Sequence, residues 1–80
     1  MDMKNNDFTV DFEAIGKRIK KHRKIQRISQ KKLAKELHIS PIYLSGIENG
    51  KINMSLKTIL QLAHILSVSL DELIYDVSYF

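Results

Sequence analysis

The residue types that most often carry catalysis or bind metals are few in this sequence and poorly spaced for either role. The histidines are His22, His38 and His64, and there is no cysteine to join them in a zinc site. The glycines are isolated, so neither of the common glycine-rich phosphate loops is present. No pair of carboxylates is spaced for acid–base chemistry. We therefore expect neither an enzyme nor a metal or cofactor site.

The serines are better explained as helix caps than as nucleophiles. A serine placed just before an apolar pattern of helical spacing accepts a hydrogen bond from a backbone N–H of the first turn. Pro41 strengthens one of these starts, since proline is favoured at the first position of a helix. Gly50 suits the left-handed conformation that ends one. The expected caps are Asp11, Ser29, Ser40, Ser55 and Ser69.

These signals predict an all-α fold, a compact domain of five short helices over residues 11–75. Residues 1–10 are expected to form an N-terminal arm and residues 76–80 a C-terminal tail. Alternating apolar residues at both ends also permit short terminal strands, and tails folded over the core explain the same alternation. They are Phe8, Val10 and Phe12, then Tyr75, Val77 and Tyr79.

Helical spacing assigns an inward face to each predicted helix. The fourth helix is expected to bury Leu56, Ile59, Leu60, Ala63 and Leu66. In the third helix, residues 41–49, Leu44, Ile47 and Glu48 point inward, which leaves Ile42 and Gly46 pointing outward. Gly16 shares the inward face of the first helix, where either close approach by another element or plain tolerance explains it.

Charge is distributed very unevenly along the chain. Ten of the 13 Lys and Arg residues lie within residues 17–35, a window without Asp or Glu. The rest of the chain carries three basic and nine acidic residues. This asymmetry favours a polyanionic partner for one face, although a solvated helix surface has the same composition.

The order of the motifs closely resembles that of the lambda-repressor/Cro-like helix-turn-helix family. The segments that carry the resemblance are Ile15-Gly16-Lys17-Arg18-Ile19, Ser29-Gln30-Lys31-Lys32-Leu33-Ala34, Tyr43-Leu44-Ser45-Gly46-Ile47-Glu48-Asn49-Gly50-Lys51, Ser55-Leu56 and Leu66-Ser67-Val68-Ser69-Leu70-Asp71-Glu72-Leu73. They fall in register over residues 11–75. The resemblance implies that the second and third helices form a DNA-binding unit whose third helix enters the major groove.

The resemblance also implies a role for each matching residue. Gln30 matches a glutamine that contacts a DNA phosphate at the start of the second helix, where helix N-termini attract anions. Arg23 and Glu48 match a partly buried ion pair. Asn49 and Lys51 match positions that contact the DNA backbone on the far side of the groove. The recognition segment comprises Ser40, Pro41, Ile42, Tyr43, Ser45 and Gly46.

The sequence departs from the family pattern at several positions. His38 and Ser67 stand where glycine is common, and at His38 a positive φ is expected. Met54 replaces a common proline. Ile42 and Gly46 replace polar base-reading side chains, so we expect Ile42 to contact a thymine methyl group and Gly46 to allow close backbone approach. Tyr43 or Ser45 is expected to add one hydrogen bond.

The sequence therefore predicts a cytoplasmic transcriptional regulator, a repressor that binds double-stranded DNA as a homodimer. The alternative is an antitoxin-like module that binds another protein, which exposed Ile42 keeps open. No apolar run approaches the length of about 20 residues that spans a bilayer. The apolar face beside residues 17–24 is narrow and lacks tryptophan, which argues against a membrane-surface helix.

Overall fold

The computed structural model describes residues 10–75, which form five helices. They are α1 (Phe12–Ile25), α2 (Gln30–Leu37), α3 (Pro41–Glu48), α4 (Leu56–Leu66) and α5 (Leu70–Ile74). The described residues contain no strand, and the all-α prediction is confirmed. The predicted C-terminal tail and all of the N-terminal arm except Val10 lie outside the described residues, as do Phe8, Val77 and Tyr79 of the permitted terminal strands. Of the other three residues named for those strands, Phe12 instead begins α1, and Val10 and Tyr75 are not in a strand.

Every helix begins at the capping residue expected from the sequence. The side chain of Asp11 accepts from the backbone N–H of Ala14 at 3.0 Å, and the serines at the other four starts make the equivalent bond. Each such cap contributes about 1 kcal/mol to stability. At α5 the bond is reciprocal, because Ser69 N–H donates to Glu72 Oε1 at 2.9 Å. That hydrogen bond lowers the pKa of Glu72.

The C-cap residues of α2 and α4 have left-handed backbone conformation. His38 has φ of 59° after α2, and Ser67 has φ of 55° after α4. In each case the next backbone N–H reaches back across the last turn: Ile39 donates to the carbonyl of Ala34, and Val68 to that of Ala63. These bonds satisfy carbonyl groups at the helix end. The positive φ expected at His38 is confirmed, and Ser67 adopts the same strained conformation.

The core lies between α1 and the other helices. Helix α1 packs against α3, α4 and α5, while α2 packs against α3 and α4. The buried apolar residues are Ile15, Ile19, Leu33, Ala34, Leu37, Leu44, Ile47, Met54, Ile59, Leu62, Ala63, Leu66 and Leu73. Within residues 10–75, no helix is long and apolar enough to cross a membrane.

The predicted inward face of α4 is wrong at two positions. Leu56 is 65% exposed and Leu60 is 47% exposed, whereas Leu62 is fully buried. The helix turns Ile59, Leu62, Ala63 and Leu66 toward the core, a spacing of three and four residues that leaves Leu60 outside. Leu56 and Leu60 instead line a shallow apolar groove with Lys57, Gln61 and His64.

Candidate nucleic-acid interface

Helices α2 and α3 form a helix-turn-helix unit. Three residues, His38, Ile39 and Ser40, connect them. Leu44, Ile47 and Glu48 anchor α3 to the body of the protein, since all three are buried. The opposite face of α3 is therefore the one available to a partner, as the helical spacing predicts.

The outward face of α3 carries most of the recognition residues named from the sequence. Ile42 is 85% exposed and Tyr43 is exposed beside it. Ser40 and Pro41 are exposed at the start of the helix, where Ser40 accepts from the backbone N–H of Tyr43. Near its end, Asn49 Nδ2 donates to Ser45 Oγ at 3.4 Å. Ser45 is half-buried. The centre of this face holds an apolar side chain rather than a polar one.

Gly46 lies on the same face, but another side chain covers it. A Cβ atom added to Gly46 would come within 2.5 Å of Ile52 Cδ1 and 2.9 Å of its Cγ1. The glycine thus makes room for Ile52, which the sequence did not suggest. Close approach of Gly46 to DNA remains a prediction.

The segment after α3 folds back onto that helix. The carbonyl of Gly46 accepts from the backbone N–H of Lys51 at 2.9 Å and from that of Ile52 at 3.2 Å. Gly50 has φ of 75°, which a glycine adopts without strain. The side chain of Lys51 is exposed at this turn. The turn therefore holds Asn49 and Lys51 at the end of the outward face of α3.

A buried polar network ties α1, α2 and α3 together. Arg23 binds Glu48 through Nε to Oε2 at 2.7 Å and through Nη2 to Oε1 at 3.1 Å. Its remaining nitrogen, Nη1, donates to the carbonyl of Ile28 at 2.8 Å. Gln30 Nε2 donates to Glu48 Oε1 at 2.9 Å. Every nitrogen of the Arg23 guanidinium and both oxygens of the Glu48 carboxylate thus have a hydrogen-bond partner, as a buried charge pair requires.

The hydrogen bond to Glu48 directs the side-chain amide of Gln30 toward the interior of the protein. Its amide nitrogen is engaged by Glu48, and the side chain is half-buried at the first position of α2. The helix N-terminus beside it retains the positive end of the helix dipole. A contact between Gln30 and phosphate stays a prediction. What the structure adds is that Gln30 is oriented by the same carboxylate that binds Arg23.

Close approach of α1 and α3 explains Gly16. A Cβ atom at Gly16 would clash with the backbone carbonyl oxygen of Ile47 and would lie 2.8 Å from that of Glu48. Because both contacts are with backbone, no side chain can rotate to relieve them. Of the two explanations that the sequence left open, the structure supports close approach.

Nine of the ten basic residues within residues 17–35 fall into two groups, and the tenth, Lys20, is half-buried. Arg23 and Arg18 serve the protein itself: Arg18 Nη1 donates to the carbonyls of Leu73 at 3.1 Å and Ile74 at 2.9 Å. It therefore caps the C-terminal end of α5, where a cation is favourable. Nothing in the sequence indicates this role, because Leu73 and Ile74 lie far from Arg18 along the chain. The exposed members of the window are Lys17, Lys21, Lys24, Arg27, Lys31, Lys32 and Lys35.

Known proteins share both this sequence pattern and this fold. The model of a family described as Helix-turn-helix matches residues 19–73. The chain belongs to the helix-turn-helix family. The ImmF control region 10 kDa protein of Bacillus phage phi105 is 38% identical over 64 residues, which is 80% of this chain and 71% of that protein. Control protein C.MunI of Mycoplasma sp is 36% identical over 73 residues, 90% of this chain and 95% of its own.

Comparison with solved structures also finds a control protein that is similar in sequence and fold. The restriction-modification controller protein C.AhdI from Aeromonas hydrophila is 35% identical with a TM-score of 0.73, covering 79% of this chain and 91% of its own. The hydroxypropylphosphonic acid epoxidase from S. wedmorenis is similar in fold alone, at 22% identity, and this chain covers 36% of it. The family and the control proteins identify this chain as a DNA-binding regulator of transcription.

Proposed function

We propose that the protein is a repressor that binds a palindromic DNA site as a homodimer, with α3 in the major groove. The observation that carries this proposal is the outward face of α3, where Ile42 is 85% exposed on a helix whose opposite face is fully anchored. A helix held in this way fits the width of the major groove. The two-fold symmetry of a palindrome would match that of the dimer.

The ends of the helix-turn-helix unit supply the phosphate contacts in this proposal. Gln30 at the start of α2 would meet phosphate on one side of the groove, and Asn49 and Lys51 on the other. The turn after α3 supports this role for Lys51, since its backbone N–H is fixed to the carbonyl of Gly46 at 2.9 Å. The exposed lysines of residues 17–35 would add attraction that does not depend on sequence.

The bases would be recognised mainly by apolar contact and by DNA shape. No Arg, Gln or Asn stands at the centre of the outward face of α3 to make the bidentate contacts that dominate direct recognition. Ile42 would pack against a thymine methyl group, with one hydrogen bond from Tyr43 or Ser45. We infer modest specificity, part of it from the deformability of the site.

We infer further that the chain has no catalytic role, since the relatives it matches over most of their length are control proteins. Its place of action would be the cytoplasm, in contact with the DNA. A second function, binding of a partner protein, is favoured by the exposure of Ile42 alone. In that case the outward face of α3 would contact the partner instead of DNA.

Salt-dependent binding to duplex DNA tests the proposal. Affinity measured by fluorescence anisotropy should fall steeply as salt rises from ~50 mM, because phosphate contacts release counterions. Lys51→Ala should weaken binding to all duplexes similarly and reduce the salt slope by about one unit. Lys57→Ala, which changes an exposed lysine beside the α4 groove, is the control and should leave the slope unchanged. Absence of DNA binding at ~50 mM salt would favour the protein partner.

A further inference from the structure

Ile52 lies after α3 in the sequence, yet its side chain occupies part of the outward face of that helix. Gly46 lies two residues from each of the buried residues Leu44 and Glu48. At about 100° per residue it is about 200° around the helix from both, so it points away from the core. The position of its absent Cβ atom is 2.5 Å from Ile52 Cδ1. The Ile52 side chain therefore fills the space that a side chain at position 46 would take.

The backbone fixes Ile52 in this place. Its N–H donates to the carbonyl of Gly46 at 3.2 Å, next to the bond from Lys51 at 2.9 Å. The side chain is half-buried and packs against the edge of the core. The core therefore covers part of the Ile52 side chain, and the rest of the side chain is exposed.

The two apolar side chains on this face are close enough to act together. Ile42 precedes Gly46 by four residues, which is just over one helical turn or about 6 Å along the axis. Ile52 lies over Gly46. Neither residue can donate or accept a hydrogen bond through its side chain. Within the major groove, the C5-methyl group of thymine is the apolar feature that distinguishes the bases.

We propose that Ile52 is a specificity-determining residue that contacts a second thymine methyl group, next to the one contacted by Ile42. Ile52 is not part of α3, but its side chain takes the place of the base-reading side chain that Gly46 lacks. Since bases of one strand rise 3.4 Å per step, two methyl groups about 6 Å apart would belong to thymines one or two steps apart. This inference rests on the proposed function, because it requires α3 to enter the groove.

Replacement of thymine by deoxyuridine tests the contact, because uracil lacks only the methyl group. Duplexes that the wild-type protein enriches from a random pool serve as probes, each with one thymine replaced. For the wild-type protein, two replacements per half-site should each lower affinity by roughly fourfold, the contribution of one buried methyl-sized group. Ile52→Ala should abolish the effect at one of these thymines, and Ile42→Ala at the other.

Two further variants separate recognition from folding. Ile52→Val removes Cδ1, the atom nearest Gly46, and should reduce the effect at the same thymine with little loss of stability. Ile65→Ala removes the same atoms from another half-buried isoleucine packed against the core, and should leave every replacement effect unchanged.

The outcomes distinguish this inference from the proposed function. If Ile52→Ala and Ile52→Val bind selectively and respond to every replacement as the wild-type protein does, Ile52 only packs against Gly46 and the inference is overturned. If the wild-type protein enriches no sequence at all, the proposed function fails first, and the inference fails with it.

Discussion

The Arg23 guanidinium binds both carboxylate oxygens of Glu48, at 2.7 and 3.1 Å, and so joins α1 to the last turn of α3. The two side chains are only 8% and 1% exposed. Burial strips water from both charges, and their mutual contact together with Gln30 and the carbonyl of Ile28 replaces it. This bidentate bond adds to the apolar packing of Leu44 and Ile47 in holding α3 on the core.

Removal of Glu48 should destabilise the protein strongly. In Glu48→Ala the Arg23 charge stays buried without its partner, which typically costs about 3–5 kcal/mol. Glu36→Ala, which changes an exposed glutamate on α2, should cost less than about 0.5 kcal/mol. Urea unfolding followed by circular dichroism measures both. Equal, small changes in the two variants would show that Glu48 behaves as an ordinary surface residue.

Gly16→Ala tests the close approach of α1 and α3 by whether the substitution raises or lowers stability. In an unconstrained helix interior, alanine is about 1 kcal/mol more stable than glycine. Here the added Cβ would clash with backbone carbonyl oxygens of Ile47 and Glu48, so we expect a loss of about 1–3 kcal/mol instead.

The control for Gly16→Ala is Lys17→Ala, which removes the exposed neighbouring side chain on α1 and should change stability by less than about 0.5 kcal/mol. Thermal unfolding of both variants is sufficient. A Gly16→Ala protein more stable than wild type would mean that α1 and α3 do not approach each other as described.

The histidines allow a matched test of backbone strain. His38 has φ of 59°, a conformation that costs about 1–2 kcal/mol for a residue with a Cβ atom. His38→Gly relieves it and should raise the free energy of unfolding by about 0.5–1 kcal/mol, after the added entropy of the unfolded chain. His64→Gly, in the exposed last turn of α4, should lower it by a few tenths of a kcal/mol. If both variants were destabilised by a similar amount, the backbone at His38 would not be strained as proposed.

Local signals in the sequence were sufficient to predict most of the fold. Caps at Asp11, Ser29, Ser40, Ser55 and Ser69 act within four residues, so the starts of all five helices could be predicted without knowledge of the tertiary structure. The face of α4 could not, because Leu56, Leu60 and Leu62 are chemically identical and only the position of α4 against the core decides which is buried.

The candidate site was predictable in outline but not in its internal contacts. Helical spacing located the outward face of α3, and the family resemblance suggested the pairing of Arg23 with Glu48. It gave no sign that Ile52 covers Gly46 or that Arg18 caps α5, since both contacts depend on how the chain folds back on itself. A glycine on an outward helix face is a weak signal for such a contact, because tolerance at an exposed position explains it equally well.

Selection of bound duplexes from a random pool tests the central claim most directly. If α3 recognises bases as part of a two-fold symmetric dimer, sequencing of the bound fraction should show enrichment of a palindrome whose half-site centres lie about 10 base pairs, or a multiple of that, apart. Each half-site should contain thymine where Ile42 contacts the groove. A bound fraction with no enriched sequence, obtained with folded protein at low salt, would contradict sequence-specific recognition by this face.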